Sequence, residues 1–150
     1  ERQFIESLLK AVGKKGTIFA HNAKSTEIKI LEKFKEKDNC KDLSDKIDNL
    51  INRVEDSLII ARKNFYSPLM NGDWGIKSIV KAIPNCKINY EEKGNIGGGT
   101  DAQLAWFICT DKNTLKTKKQ KQSDLLVKYC SKDTLAIYHL MKHLINLSKK

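Results

Sequence analysis

A chain of 150 residues that is 40% apolar and 31% charged fits one soluble domain or a piece of one. No uninterrupted apolar run approaches the roughly 18 residues that a membrane span needs, and no basic-then-apolar leader is visible, so a cytoplasmic protein without a membrane partner is expected. The net charge of +10 favours a polyanionic partner, but the only arginines are Arg2, Arg53 and Arg62, and a lysine, Asn and Ile excess of this kind also follows from a genome rich in A and T.

Along the chain, Phe4, Ile5, Leu8, Leu9 and Val12 form a helical stripe that stops at Gly13, and Gly16 opens a short β-rich run from Thr17 to Ala20. After Asn22, the spacing of Glu27, Ile30, Leu31 and Phe34 predicts a buried helix face with Ser25 or Thr26 as N-cap. That pattern puts Glu27 on an apolar stripe. An acid in a first helical turn is also favoured by the helix dipole without any ligand.

A polar stretch around Lys35 to Asp42 separates this helix from another carried by Leu43, Ile47, Leu50, Ile51 and Val54. The segment from Val54 to Arg62 reads as a short strand turning into a helix, with Glu55 and Asp56 at its mouth. Asp56 there suits substrate or metal contact, although acids at helix starts are commonplace. The turn-rich loop from Asn64 to Trp74 holds Phe65, Tyr66 and Trp74, which either pin it to the core or stack on unpaired bases. A helix through Ile76, Ile79, Val80 and Ile83 ends at Pro84.

Gly97 to Thr100 leads into a helix from Asp101 to Ile108, but this glycine loop lacks the Lys and spacing of a P-loop, and Asp101 would repel an anion from the helix mouth. The stretch from Lys112 to Lys121 has no apolar periodicity and is expected to be a mobile basic loop. Cys40, Cys86, Cys109 and Cys130 are too widely spaced for a zinc knuckle and read as reduced, mostly buried thiols. His139 and His143 lack the acid of a zinc-protease helix and read as surface residues.

The most informative stretch runs from Val127 to Tyr138. On a helix, Tyr129, Asp133, Ile137, Leu140 and Leu144 share one stripe, so a phenol and a carboxylate lie one turn apart on the core side. A carboxylate there must be hydrogen-bonded, paired with a cation or bound to a metal. Alternatively a helix ends near Ser131 and Asp133 is the N-cap of the next one.

Taken in order, these segments resemble the ribonuclease-H-like DEDD exonucleases of the Tyr-bearing subgroup, and most closely an uncharacterised bacterial domain family related to them. Ile18 to Asn22 with Glu27 to Leu31 is similar to the second motif of that family. Asp56-Ser-Leu, the loop from Phe65 to Gly72 and the helix from Gly75 to Val80 match the segments that follow. The third motif, Tyr-Cys-x-x-Asp-Thr-Leu-Ala, is matched from Tyr129 to Ala136. Two departures stand out: Thr26 occupies the place of an aromatic, and Glu27 lies five residues after Asn22 where four is usual. No Asp-x-Glu of the first motif precedes residue 17, so those acids and their strands are expected upstream in the same polypeptide.

The resemblance implies an α/β fold class, as a helix-rich fragment of a ribonuclease-H-like fold with few strands, covering residues 1–150 as the C-terminal part of one exonuclease-like domain. It implies a metal-dependent 3′–5′ exonuclease acting on DNA or RNA, with two Mg2+ or Mn2+ ions in the complete site. Asp133, Glu27 and Asp56 would be metal ligands, Tyr129 would orient the attacking water, and Asn22 and Lys77 would contact substrate. The alternative is a non-catalytic nucleic-acid or protein binding module with a degenerate nuclease fold. With half of the carboxylates absent, this chain by itself is expected to bind metal weakly and to cleave nothing measurable. Chelator-sensitive digestion of single-stranded DNA or RNA by these 150 residues would contradict that expectation.

Overall fold

The first helix, α1 (Arg2–Val12), forms where the apolar spacing predicts it and ends at Gly13, whose φ of 62° lies in the left-handed region that a Cβ disfavours. The computed structural model describes residues 1–90 and 95–149. These form two compact units, Glu1–Tyr66 and Ser67–Lys150.

In the first unit, β1 (Ile18–Ala20) pairs in parallel with β2 (Val54–Asp56), Ile18 opposite Val54 and Ala20 opposite Asp56. Parallel pairing needs a crossover. It is supplied by α2 (Glu27–Lys35), a 3-10 helix at Asp38–Leu43 and α3 (Ser44–Ile51). Ile5, Leu31, Leu43, Ile47 and Leu50 make the buried core, and Phe34, Ile18 and Val54 pack against it. Arg53 then ties the start of β1 to the end of α3, its guanidinium donating to the carbonyls of Gly13 (2.8 Å) and Gly16 (3.2 Å). α4 (Ser57–Asn64) follows β2 without a linker. The mixed α/β class is thus met by helices around a two-stranded sheet.

The second unit opens with a 3-10 helix at Pro68–Met70, followed by α5 (Ile76–Ala82). Asp73 starts α5 from outside: its carboxylate accepts from Gly75 N (2.8 Å) and from the Ser78 hydroxyl (2.5 Å), and these bonds lower its pKa. α6 (Gly99–Thr110) and α7 (Lys116–Leu147) form a helical hairpin. Asp111 closes its turn by accepting from Asn113 N (3.1 Å) and the Thr114 hydroxyl (2.7 Å). Ile79 and Val80 of α5, Ala105 of α6, and Ala136, Leu140 and Leu144 of α7 are buried.

Several expectations are corrected. Lys116, Lys118, Lys119 and Lys121 lie on the first turns of α7 and not in a loop. Lys and Gln are good helix formers, and turns that stand mostly in water carry no apolar period to read. Because α7 runs unbroken past Ser131, Asp133 is interior to a helix and caps nothing. Glu27 is exposed, as is Ile30 at 51%, because α2 turns Leu31 inward. Thr26 does occupy the N-cap of α2, but its hydroxyl donates to Asn22 O (3.1 Å) and to Glu27 and makes no cap bond. Of the four cysteines, Cys40 is buried, Cys86 and Cys109 are half-buried and Cys130 is exposed; all are free thiols. Tyr66 is exposed, while Phe65 and Trp74 are half-buried. Among the described residues no helix is long and apolar enough to cross a membrane.

The core of the first unit depends on Ile47, which has no exposed surface. Ile47→Ala is expected to destabilise it by about 3 kcal/mol in urea unfolding, through lost burial and the cavity left behind. A change below about 1 kcal/mol would mean that α3 is not seated as described.

Candidate functional site

The sheet of the first unit delivers its strand ends to a single carboxylate. Asp56, at the end of β2 and 7% exposed, accepts from Asn22 N (2.9 Å) and Leu58 N (3.0 Å) through Oδ1 and from Lys24 N (3.2 Å) through Oδ2. It is therefore the N-cap of α4 and, across the sheet, the clamp of the turn that leaves β1. Asn22 holds that turn in the left-handed conformation, with φ at 63°, which asparagine tolerates better than most residues. Its carbonyl also accepts from Ser25 N (3.1 Å). Beside this clamp the His21 Nδ1 lies 3.0 Å from the hydroxyl of the fully buried Ser57. Glu27 stands at the exposed first turn of α2, bonded to the Thr26 hydroxyl.

In the second unit Lys77, Tyr129 and Asp133 lie near one another, while Glu27 and Asp56 belong to the first. Tyr129 and Asp133 are half-buried one turn apart on α7. Tyr90, 7% exposed, donates its hydroxyl to Asp133 Oδ1 (2.8 Å), and its ring meets that of Tyr129 edge-on at 6.3 Å. The Lys77 ammonium of α5 lies 5.2 Å from the Tyr90 ring centre and 5.8 Å from that of Tyr129. Such placement is favourable by roughly 0.5–2 kcal/mol per cation and ring. Lys77 also donates to Gly97 O, ahead of α6, while Asp101 accepts from Gly97 N (3.2 Å). A carboxylate, two phenols and an ammonium thus share one half-buried corner.

Its electrostatics keep the phenols protonated. Burial, and then the negative charge of Asp133, push the Tyr129 phenol up to about 12. Burial and the bond to Asp133 raise Tyr90 as well. Partial desolvation, and then the negative charge of Asp133, raise the pKa of the neighbouring Cys130 thiol, although its side chain is exposed. Two neutral hydroxyls beside one carboxylate can orient a polar ligand or a water, and Lys77 supplies a positive charge.

Mg2+ or Mn2+ requires several hard oxygens around one point. The Asp56 oxygens are engaged by three backbone N–H groups and Asp133 by a phenol. Among the described residues no group of three or more His, Cys, Asp or Glu side chains stands together in a way that could hold a metal ion. The described residues do not by themselves fit a two-ion centre.

Three participants escaped sequence reading. Tyr90 lies in a stretch without periodicity, 43 positions before Asp133. His21 and Ser57 flank the clamp from separate segments, and only Asp56, at the start of an apolar run, hinted at the place. His139 and His143 are both half-buried on α7, and His139 meets the Tyr138 ring at 5.6 Å.

The raised phenol pKa has a signed consequence. Tyr129 stabilises the fold through its protonated form, so that contribution is complete below pH 10.0, its ordinary value, and is lost as the pH rises through about 12. Ultraviolet titration of tyrosinate should show a late component near pH 12 that Tyr129→Phe removes. Full ionisation by about pH 11 in a folded protein would contradict the burial of this ring.

No curated protein matches the chain, and no solved structure does. A family match covers residues 1–75, which include Asn22, Glu27, Asp56 and the loop from Phe65 to Gly72 and end before Lys77, Tyr129 and Asp133. With half its length matched, through the whole unit that Asp56 organises, the chain belongs to the family described as domain of unknown function DUF2779.

Proposed function

We propose that this chain is the part of a metal-dependent 3′–5′ exonuclease-like domain that engages DNA or RNA and presents Tyr129 and Asp133 to the reacting phosphodiester. The observation that carries the reading is the corner on α7: a half-buried carboxylate in a helix interior, a protonated phenol one turn before it and the Lys77 ammonium over the neighbouring rings. A carboxylate with no task is costly in such a position, where an apolar residue of similar size is often more stable. A phenol that stays neutral to about pH 12 is suited to holding a water or a phosphate oxygen by donating to it. The net charge of +10 favours a polyanionic substrate.

The first unit adds Asn22 and Asp56 at the carboxyl ends of parallel strands, the side on which open α/β sheets receive ligands. Glu27 follows on an exposed helix start. Ligation of Mg2+ or Mn2+ by Glu27, Asp56 and Asp133 belongs to this proposal as the resemblance implies it, and a complete centre needs further carboxylates.

A second reading, a binding module that keeps the fold without catalysis, is favoured by one observation: Asp56 and Asp133 both have their oxygens engaged within their own units. The full-length protein separates the two. With Mn2+ and single-stranded DNA or RNA, Asp133→Asn is expected to lower hydrolysis at least about 100-fold and Tyr129→Phe about tenfold or more, in variants that circular dichroism shows to be folded at the assay temperature. Hydrolysis unaffected by Asp133→Asn would overturn the nuclease proposal. Binding without hydrolysis by the unaltered protein would establish the second reading.

A further inference from the structure

The outer side of the α6 and α7 hairpin carries a second feature, which meets the corner around Asp133 at Cys130. Trp106 of α6 and Leu126, Val127, Leu135 and Tyr138 of α7 line an open, mainly apolar groove of about 790 Å3. Trp106 is 60% exposed, Val127 64% and Tyr138 56%, so among the described residues of this unit these side chains are largely uncovered. On α7 the outward positions Val127, Ser131, Thr134, Tyr138, Met141 and Ile145 alternate steps of four and three, the spacing with which one helix seats another. From Ser123 to Tyr138 the groove runs about 22 Å at 1.5 Å per residue, about four helical turns.

Charge decides what fits. On the open side of this seam stand Lys121, Asp124, Lys128, Leu135 and Lys142: Lys121, Asp124 and Lys128 line an adjoining hollow with Asn95, and the Lys142 ammonium lies 5.7 Å from the centre of the Tyr138 ring. Over its whole length α7 carries seven lysines against two acids. A second copy of the chain laid antiparallel on this seam would set the lysine row against itself, at an electrostatic penalty. A nucleic acid would meet the lysines but would gain little from the aliphatic floor that Leu126, Val127 and Leu135 provide. An apolar stripe bordered by Asp and Glu satisfies both the floor and the rim.

We propose that the groove between α6 and α7 docks an amphipathic helix of about four turns from a partner protein, apolar on its inner side and acidic along its border. The helix completes a three-helix packing in which Trp106 and Tyr138 close the two sides of the apolar strip.

Fluorescently labelled peptides of about 18 residues, leucine at the seam positions and either Glu or Lys at the borders, test this directly by anisotropy and by the emission of Trp106. The Glu-bordered peptide is expected to bind at least about tenfold more tightly than the Lys-bordered one and to weaken as salt is raised. Val127→Glu and Tyr138→Glu, at exposed positions that leave folding intact, should each weaken binding about tenfold or more. Paired Lys128→Glu and Lys142→Glu substitutions should reverse the preference between peptides. Equal binding of the two peptides, no binding of either, or binding indifferent to Val127→Glu would overturn the proposal. Displacement of the bound peptide by a single-stranded oligonucleotide, or a dimer that Val127→Glu dissociates, would reassign the groove and overturn it equally.

Discussion

A carboxylate withdrawn from water must find hydrogen-bond donors or a cation, and each unit of this chain is arranged around one that has. Asp56 has recruited three backbone N–H groups from the segments that leave the carboxyl ends of the two parallel strands. Asp133 has recruited the phenol of a nearly buried tyrosine. The two solutions have different consequences. Backbone donors have fixed positions, so Asp56 locks the route of the chain: β1 can leave the sheet only through the left-handed turn at Asn22, and α4 can start only at Ser57. A side-chain donor leaves the carboxylate with lone pairs to offer, so Asp133 keeps capacity for a ligand while being held in place.

That difference separates architecture from chemistry. In the first unit the apolar core and the Arg53 contacts bring the strands into register, and the acid then fixes the loops at their ends. In the second unit the helical hairpin buries Ala136, Leu140 and Leu144 on one side of α7. The same stripe carries Tyr129 and Asp133 one to four turns earlier on the helix, within reach of Tyr90 and Lys77. A single long helix thereby serves packing, a polar corner and an apolar seam.

Much of the fold was legible because burial leaves a period. The stripes of α1 and α3 are written in Ile5, Leu8, Val12, Ile47 and Leu50, and β2 passing into α4 is visible in the step from acids to Leu58, Ile59 and Ile60. Legibility failed where a helix stands mostly in water. The lysines from Lys116 to Lys121 have high helix propensity and no period, and the nearest packed turn extends them into α7. It failed again for contacts that join distant segments. Tyr129 and Asp133 could be paired from spacing alone, but nothing local in Tyr90 announces its bond to Asp133, and the N–H groups of Asn22 and Lys24 carry no mark that leads to Asp56. The exposure of Glu27 shows the converse hazard: Ile30 lent it an apolar stripe that the fold does not bury.

The polar corner stands or falls with the bond between Tyr90 and Asp133, and a double-mutant cycle measures that bond. Tyr90→Phe, Asp133→Ala and the double variant would be compared by urea unfolding. The account predicts a coupling of about 1 kcal/mol or more, the size of a hydrogen bond to a charged group away from water. Additive losses, with coupling below about 0.3 kcal/mol, would contradict it and leave Asp133 as a solvated side chain with no place in a site.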